Sequence, residues 1–100
     1  MFHNPFDCMD RAQAAEDENF PGFTDPYGGA YRHCVAACCL VRTQPPGVGR
    51  CLIALWDLLN EDADNPNSQG DMAGEREGRR LPKASNRSCE DACLESYPNN

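Results

Sequence analysis

The chain has 100 residues, of which 40% are hydrophobic, and a formal net charge of −7. A chain of this length forms one domain and buries roughly 60–70% of the surface that it exposes when unfolded. An acidic chain approaches nucleic acids and anionic membranes against its own electric field, so we expect no nucleic-acid partner. The sequence contains no stretch of 18 apolar residues, so no transmembrane segment is predicted. Residues 1–7 lack the basic and apolar regions of a signal peptide.

The first half of the chain predicts three helices. Asn4 followed by Pro5 is typical of a helix start, which predicts a helix over about 5–18. Proline and glycine residues predict a loop over 19–29, whereas 30–42 contains no helix breaker and predicts a buried helix. Residues 51–60 are apolar nearly all round, so we expect them to form the central helix.

The second half of the chain is more polar. A turn over 65–67 precedes a short polar helix over 71–80, which Pro82 ends. Ser85 or Ser88 is expected to cap a last helix over about 86–96. Because β-branched residues are few and do not alternate with polar ones, no strand is predicted. The fold class is therefore all-α, with four to five short helices in a single domain over 1–100. Its core spans about 28–96, and an N-terminal helix and loop occupy 1–27.

Seven cysteines give the chain the composition of a disulfide-stabilised domain. Cys34 and Cys38 are four residues apart, as are Cys89 and Cys93, and residues with this spacing share one helix face. Two antiparallel helices that carry such pairs can be joined twice, which predicts the disulfides Cys34–Cys93 and Cys38–Cys89. Each would close a loop of about 50 residues and stabilise the fold by about 4 kcal/mol.

The remaining cysteines leave alternatives open. A third disulfide can form among Cys8, Cys39 and Cys51, with one thiol left over. A four-thiolate zinc site and free buried thiols are the other interpretations of the paired cysteines. Disulfides require an oxidising compartment, so we expect a secreted or periplasmic protein.

Two segments contain candidate catalytic residues. In the first, Arg32 and His33 lie at the entrance of the buried helix, next to Tyr31. We interpret His33 as a general base and Arg32 as the group that holds an anion, with Tyr31 as a substrate contact. The alternative is structural: Arg32 pairs with one of the carboxylates, and His33 bonds a backbone carbonyl.

The second segment is the polar helix, in which Asp71, Glu75, Gly78 and Arg79 fall on roughly one face. Asp71 and Glu75 are candidate catalytic residues, and Gly78 and Arg79 are candidate substrate contacts. Gly74 and Gly78 allow a ligand or another backbone to come close, so close helix packing is the alternative. Other acidic residues are expected to be solvated or helix-end charges: Asp57, Asp62 and Asp64.

The order of these motifs resembles a family of small bacterial domains found at the carboxyl ends of polymorphic toxins and in secreted effectors. Those domains carry an A-F/Y-R-H helix start and a later M-D-x-x-N-N-x-x-G-R helix. Here the matching residues are Ala30, Arg32, His33, Asp71-Met72 and Gly78-Arg79. The resemblance covers about 28–80 and implies that these side chains face one cleft. The chain departs from the pattern at Gly74 and Glu75, which replace the paired asparagines, and in the reversed Asp71-Met72 order.

A second similarity is to secreted phospholipases A2, in which a helical histidine works beside disulfides. In that family an aspartate follows the histidine and a calcium loop precedes it, whereas here Cys34 follows His33.

Two functions follow from these patterns. The first is a small hydrolase, an antibacterial effector domain that acts on a phosphate-bearing or envelope substrate. An immunity protein or a component of a secretion apparatus would be its partner. The second is a non-enzymatic, disulfide-stabilised helical module that binds or inhibits a protein. In the hydrolase, Asp71 or Glu75 would orient His33 or bind a metal, but no cofactor and no metal are assigned to either function. A separation above about 10 Å between Arg32 and His33 on one side and Asp71 and Glu75 on the other would favour the binding module.

Overall fold

The computed structural model describes residues 4–20, 26–61, 64–81 and 86–98. These residues form five helices and, within the same ranges, no strand, which confirms the all-α prediction. The helices are α1 (Pro5–Asn19), α2 (Pro26–Thr43), α3 (Val48–Asn60), α4 (Pro66–Arg80) and α5 (Cys89–Ser96). No helix in the described part of the chain is long and apolar enough to cross a bilayer.

The helix starts follow local chemistry. The Asn4 side chain accepts a hydrogen bond from the Phe6 amide, and the Ser88 side chain accepts one from the Asp91 amide. Helices α2 and α4 begin four and five residues earlier than predicted, at Pro26 and Pro66. Proline fits the first turn of a helix because its missing N–H is not needed there. Ser85, the other predicted cap, lies outside the described residues.

The central helix is α2, so the prediction that 51–60 forms the centre is wrong. Helix α2 packs against all four other helices, and Tyr31, Cys34 and Val35 on it are completely buried. Helix α3 buries Gly49 and Ile53. Its other large apolar side chains are mostly exposed: Val48, Leu55, Trp56, Leu58 and Leu59. Small side chains on α2 explain this arrangement, because they allow its neighbours to approach from every side.

Three disulfides tie the core together. Cys34–Cys93 and Cys38–Cys89 join α2 to α5, which confirms both predicted pairs and the antiparallel arrangement of the two helices. Because these four sulfurs form two disulfides, the alternative of a four-thiolate zinc site is wrong. The third disulfide is Cys8–Cys39 and joins α1 to α2, while Cys51 keeps a free, exposed thiol. Three disulfides are typical of proteins in oxidising compartments.

The N-terminal helix belongs to the same core as the rest of the chain. Ala12, Ala15 and Phe20 pack with Tyr31 and with the cysteines of α2 and α5. The Phe20 and Tyr31 rings contact each other with centroids 5.2 Å apart. Helix α1 therefore completes the core instead of lying beside it.

Two glycines bring α4 close to α2. A Cβ atom placed on Gly74 would overlap the carbonyl of Ala30, and one on Gly78 would overlap the carbonyl of Cys34. The glycine pair therefore serves close helix packing, the structural alternative for these two positions. This contact fixes which face of α4 lies against α2.

We predict that Gly74→Ala destabilises the fold by about 1–3 kcal/mol, because the added methyl group forces the two helix backbones apart. Gly70 lies on the same helix, and a Cβ there would meet nothing within 4 Å. Gly70→Ala is therefore the matched control and should stabilise the protein by up to about 1 kcal/mol. Urea unfolding with the disulfides intact measures both variants. Equal effects of the two substitutions would contradict the close contact.

Candidate functional site

His33 lies between two carboxylates. Its Nδ1 atom is 2.5 Å from Oε2 of Glu75, and its Nε2 atom is 3.4 Å from Oδ2 of Asp71. The His33 side chain is mostly buried, with 12% of its surface exposed. The predicted histidine and both predicted acids are thus in one place, far inside the 10 Å limit that would have favoured a binding module.

The contact between α2 and α4 creates this arrangement. Asp71 and Glu75 are one helical turn apart, so their side chains lie on the same face of α4. Gly74, which stands between them in the sequence, seats that face on α2. On α2, Gly29 makes room for Asp71, whose Oδ1 would lie 3.1 Å from a Cβ at that position.

Two acidic residues of the α3 segment complete the site, and sequence reasoning missed both. Asp57 lies near Glu75 and is half-buried, so its assignment as a solvated charge is wrong. Glu61 follows the end of α3, and its backbone N–H donates to the carbonyl of Asp57 at 2.9 Å. The missed signal was spacing: Asp57 and Glu61 are four residues apart, as are Asp71 and Glu75. We call the group the His33 cluster: His33, Asp57, Glu61, Asp71 and Glu75.

Glu75 is the most buried acid of the cluster. The residue is 4% exposed, and its Oε2 atom bonds His33. Its second oxygen, Oε1, is buried and has no hydrogen-bond partner among the described residues, and the same holds for Oδ1 of Asp57. Buried carboxylate oxygens normally have a partner, so these two atoms require an explanation.

The close carboxylates shift the protonation of the cluster. Burial lowers the pKa of His33, but the hydrogen bond that Nδ1 donates to Glu75 and the charges of Asp71 and Glu75 outweigh burial, so the net pKa is raised. Burial and the neighbouring Glu75 carboxylate raise the pKa of Asp57 to about 7. Burial also raises the pKa of Asp71, against the opposing effect of His33. Several groups of the site therefore hold protons that free side chains would release.

Two arginines border the cluster. Arg32 lies 3.5 Å from a carboxylate oxygen of Glu16 and donates to the Gln13 side chain, so its guanidinium is tied to α1. This is the structural alternative for that residue. Arg79, on α4, is close enough to lower the pKa of Asp57 by its charge. Arg79 is thus the better placed of the two to meet an anion at Asp57.

Two predicted substrate contacts lie in the core instead. Tyr31 is completely buried, and its hydroxyl accepts from Asn19 and donates to the carbonyl of Glu90. Gly78 is buried against Cys34. In this structure both positions hold helices together, and a substrate would have to open the core to reach them.

An apolar groove of about 670 Å³ leads to the cluster. His33 and Glu75 line one part of it, and Arg32 borders it. The remaining lining is mostly apolar and comes from α1, α2 and α3: Pro5, Phe6, Met9, Ala36, Leu40, Leu52, Ile53, Leu55, Trp56 and Leu59. A volume of this size holds a small organic molecule or part of a larger one.

Comparisons with protein-family models, with curated proteins and with solved structures found no match for the chain. The site is therefore interpreted from its own geometry.

The raised pKa values predict how stability depends on pH. The folded protein keeps the protons of His33 and Asp57 at pH values where the unfolded chain, with pKa values of 6.5 and 3.8, releases them. The free energy of unfolding should therefore fall as the pH rises from about 5.5 to about 8. Asp57→Asn should make this fall shallower. Urea unfolding at several pH values, in the presence of a chelator, measures both.

The matched control is Asp17→Asn, which removes the same charge from an exposed position on α1. It should leave the slope of stability against pH as it is in the unsubstituted protein. A stability that is flat or rises over this pH range would contradict the assignment.

Proposed function

We propose that the chain is a small hydrolase and acts as an antibacterial effector domain on an envelope substrate outside the cytoplasm. The observation that supports it most is a mostly buried histidine with a buried carboxylate on one ring nitrogen, beside an apolar groove. A base that is held by a second acidic group is the usual arrangement for activating water. The three disulfides support an oxidising destination.

The geometry gives each residue a role. Glu75 accepts the Nδ1 proton of His33 at 2.5 Å, which holds the ring. Nε2 is the proton acceptor in the molecules in which His33 is neutral, and the raised pKa of His33 moves that state to higher pH. Asp71 lies farther away, 3.4 Å from Nε2, and its side chain is more exposed than that of Glu75. A water molecule between Nε2 and the substrate would lose its proton to His33. Asp57, with a pKa of about 7, can return a proton to the leaving group.

The surroundings indicate the substrate. The groove is apolar along most of its length and polar where it reaches His33. Arg79, near Asp57, supplies a positive charge for a phosphate or another anionic group. A substrate with an apolar part and a phosphate-bearing head fits both features, which favours phospholipids and lipid-linked wall precursors over peptidoglycan strands. The resemblance to toxin carboxyl-terminal domains supports the same destination, and an immunity protein would then be the partner.

The basic residues near the carboxyl end offer less free positive charge to a substrate than their number implies. Arg80 pairs with Glu77, and Arg87 pairs with Glu95. Lys83 lies outside the described residues. Of the arginines in this part of the chain, the substrate's anionic group is thus assigned to Arg79.

We predict that His33→Asn lowers the rate of hydrolysis by about 10²- to 10⁴-fold, because the site loses its proton acceptor. The assays are the release of fatty acid or phosphate from phospholipid vesicles, hydrolysis of lipid II, and growth of bacteria that express the domain in the periplasm. The matched control is His3→Asn, which changes the other histidine of the chain and should leave the rate unaltered. Unchanged hydrolysis or toxicity in His33→Asn would rule out the catalytic role.

A second function is favoured by one observation, the exposed apolar face of α3. Leu58 is 80% exposed and Leu59 is 72% exposed, which is unusual for adjacent leucines. A non-enzymatic module that binds a protein partner would use this face.

The two functions make opposite predictions for periplasmic expression. If the chain is a hydrolase, His33→Asn removes toxicity, and Leu58→Ser, which changes an exposed leucine outside the groove lining, keeps it. If the chain is a binding module, the leucine variant loses the effect and His33→Asn retains it. Growth curves of the two strains at equal expression levels decide between them.

A further inference from the structure

We propose that the His33 cluster is a binding site for a divalent transition-metal cation, with His33, Glu61 and Glu75 as the protein ligands. A ring nitrogen of His33 and one carboxylate oxygen each from Glu61 and Glu75 lie within 4.8 Å of one another. The three donors come from three separate segments: α2, the end of α3, and α4. Cation binding at this cluster is a property separate from the use of His33 as a base.

The first argument is the unpartnered oxygen of Glu75. Glu75 is only 4% exposed, and its Oε1 atom has no hydrogen-bond partner among the described residues. Its other oxygen bonds His33, so the carboxylate is held at the centre of the cluster with one oxygen unused. A buried carboxylate oxygen costs free energy unless a proton donor or a cation meets it. A proton shared with Asp57 meets the Glu75 carboxylate in the metal-free protein, and a cation beside His33 and Glu61 would replace that proton.

The second argument is the charge of the whole cluster. Four carboxylates, those of Asp57, Glu61, Asp71 and Glu75, surround one imidazole. Arg79 offsets part of the charge at Asp57, and Arg32 offsets part of the charge at Asp71, so two cationic side chains balance four carboxylates incompletely. Oδ1 of Asp57 is a second buried oxygen with no partner in the described ranges. Carboxylates that share one site repel one another, and a doubly charged cation would reduce that repulsion.

The donor set indicates the class of cation. Imidazole suits zinc and other transition metals, and carboxylates also suit manganese, so Zn²⁺ and Mn²⁺ fit one nitrogen and two oxygens better than Ca²⁺ does. Metal-bound histidines normally keep a hydrogen bond from the second ring nitrogen to a carboxylate. Glu75 lies at Nδ1, so Nδ1 would bind the cation in place of its present proton, and Nε2 would keep its contact with Asp71.

Helix α3 fixes the position of the third ligand. Glu61 follows the last turn of α3, where its backbone N–H donates to Asp57 at 2.9 Å. Glu61 is partly exposed to solvent, unlike Glu75. A cation could enter from this side without opening the core. The remaining coordination positions would be filled by water.

The inference rests on the proposed function only for the use of the cation. A bound Zn²⁺ or Mn²⁺ lowers the pKa of a water ligand and so supplies hydroxide at neutral pH. In that state His33 serves as a ligand, and Asp71 keeps its ring in place or, with Asp57, receives the proton.

The experiment measures cation binding directly. The protein carries Cys51→Ser, because the exposed thiol would itself bind zinc, and is freed of metal with a chelator while its disulfides stay oxidised. Zn²⁺ binding is followed by calorimetry, and Mn²⁺ binding by electron paramagnetic resonance. We expect saturable binding of one cation per chain. Glu61→Gln should weaken it at least about tenfold, in line with the loss of a ligand.

The control variant is Glu18→Gln, which removes the same charge from an exposed position on α1. It should bind the cation as the parent protein does. Glu61 is partly exposed, so its substitution leaves the core intact, and circular dichroism verifies this. Absence of saturable binding, or equal binding by the Glu61→Gln and Glu18→Gln variants, would overturn the proposal.

The same samples separate this proposal from the hydrolase itself. Saturable binding that depends on Glu61, without hydrolysis of any envelope substrate, would leave the cation site standing and reject the proposed function. Full hydrolysis by metal-free protein that binds no cation would reject the site and retain His33 as the base.

Discussion

The contact of α4 with α2 is the constraint on which the rest of the molecule depends. At Gly74 and Gly78 the two helix backbones approach so closely that no side chain fits between them. This approach sets the rotation of α4, and the rotation decides which of its polar residues face inwards. Asp71 and Glu75 face inwards and meet His33, whereas Arg76 and Arg80 remain exposed. A packing requirement thus positions the acidic face of the site.

Burying one carboxylate and partly burying three more is unusual for a domain with so small a core. A chain of this length buries a modest fraction of its surface, and each buried charge costs free energy unless it is compensated. The disulfides provide the counterweight, since Cys34–Cys93 and Cys38–Cys89 each close a loop of more than 50 residues. In the chain-entropy description each closure stabilises the fold by about 4 kcal/mol. Covalent ties therefore allow the core to hold a group of charges that packing alone would hold less well.

Much of this architecture could be predicted from the sequence, because its strongest signals are local. The spacing of Cys34/Cys38 and Cys89/Cys93 places each pair on one helix face, and that geometry is enough to pair them. The same reasoning brought Asp71 and Glu75 together on α4. What local signals lack is the position of one helix relative to another. Apolar composition suggested that 51–60 lies at the centre, but the small residues of α2 decided the outcome.

The same limit applies to the candidate site. Asp57 and Glu61 sit at the end of an apolar helix, where acidic residues are ordinarily solvated, and nothing in their own sequence shows that α4 lies opposite. Tyr31 stands beside Arg32 and His33 in the chain, but the helical turn directs it into the core. Consecutive residues of a helix point about 100° apart, so Tyr31 does not share the direction of Arg32 and His33 although it adjoins them in the sequence.

The disulfides also divide the molecule into two parts that are held in different ways. All three join α2 to α1 or α5, and none reaches α3 or α4. The acids of the His33 cluster come from the α3–α4 segment, which only non-covalent packing keeps in place. The site therefore depends on the close packing of α4 against α2 at Gly74 and Gly78 and not on any covalent link. Substitutions that loosen this packing would therefore disturb the site while the three disulfides still hold α1, α2 and α5 together.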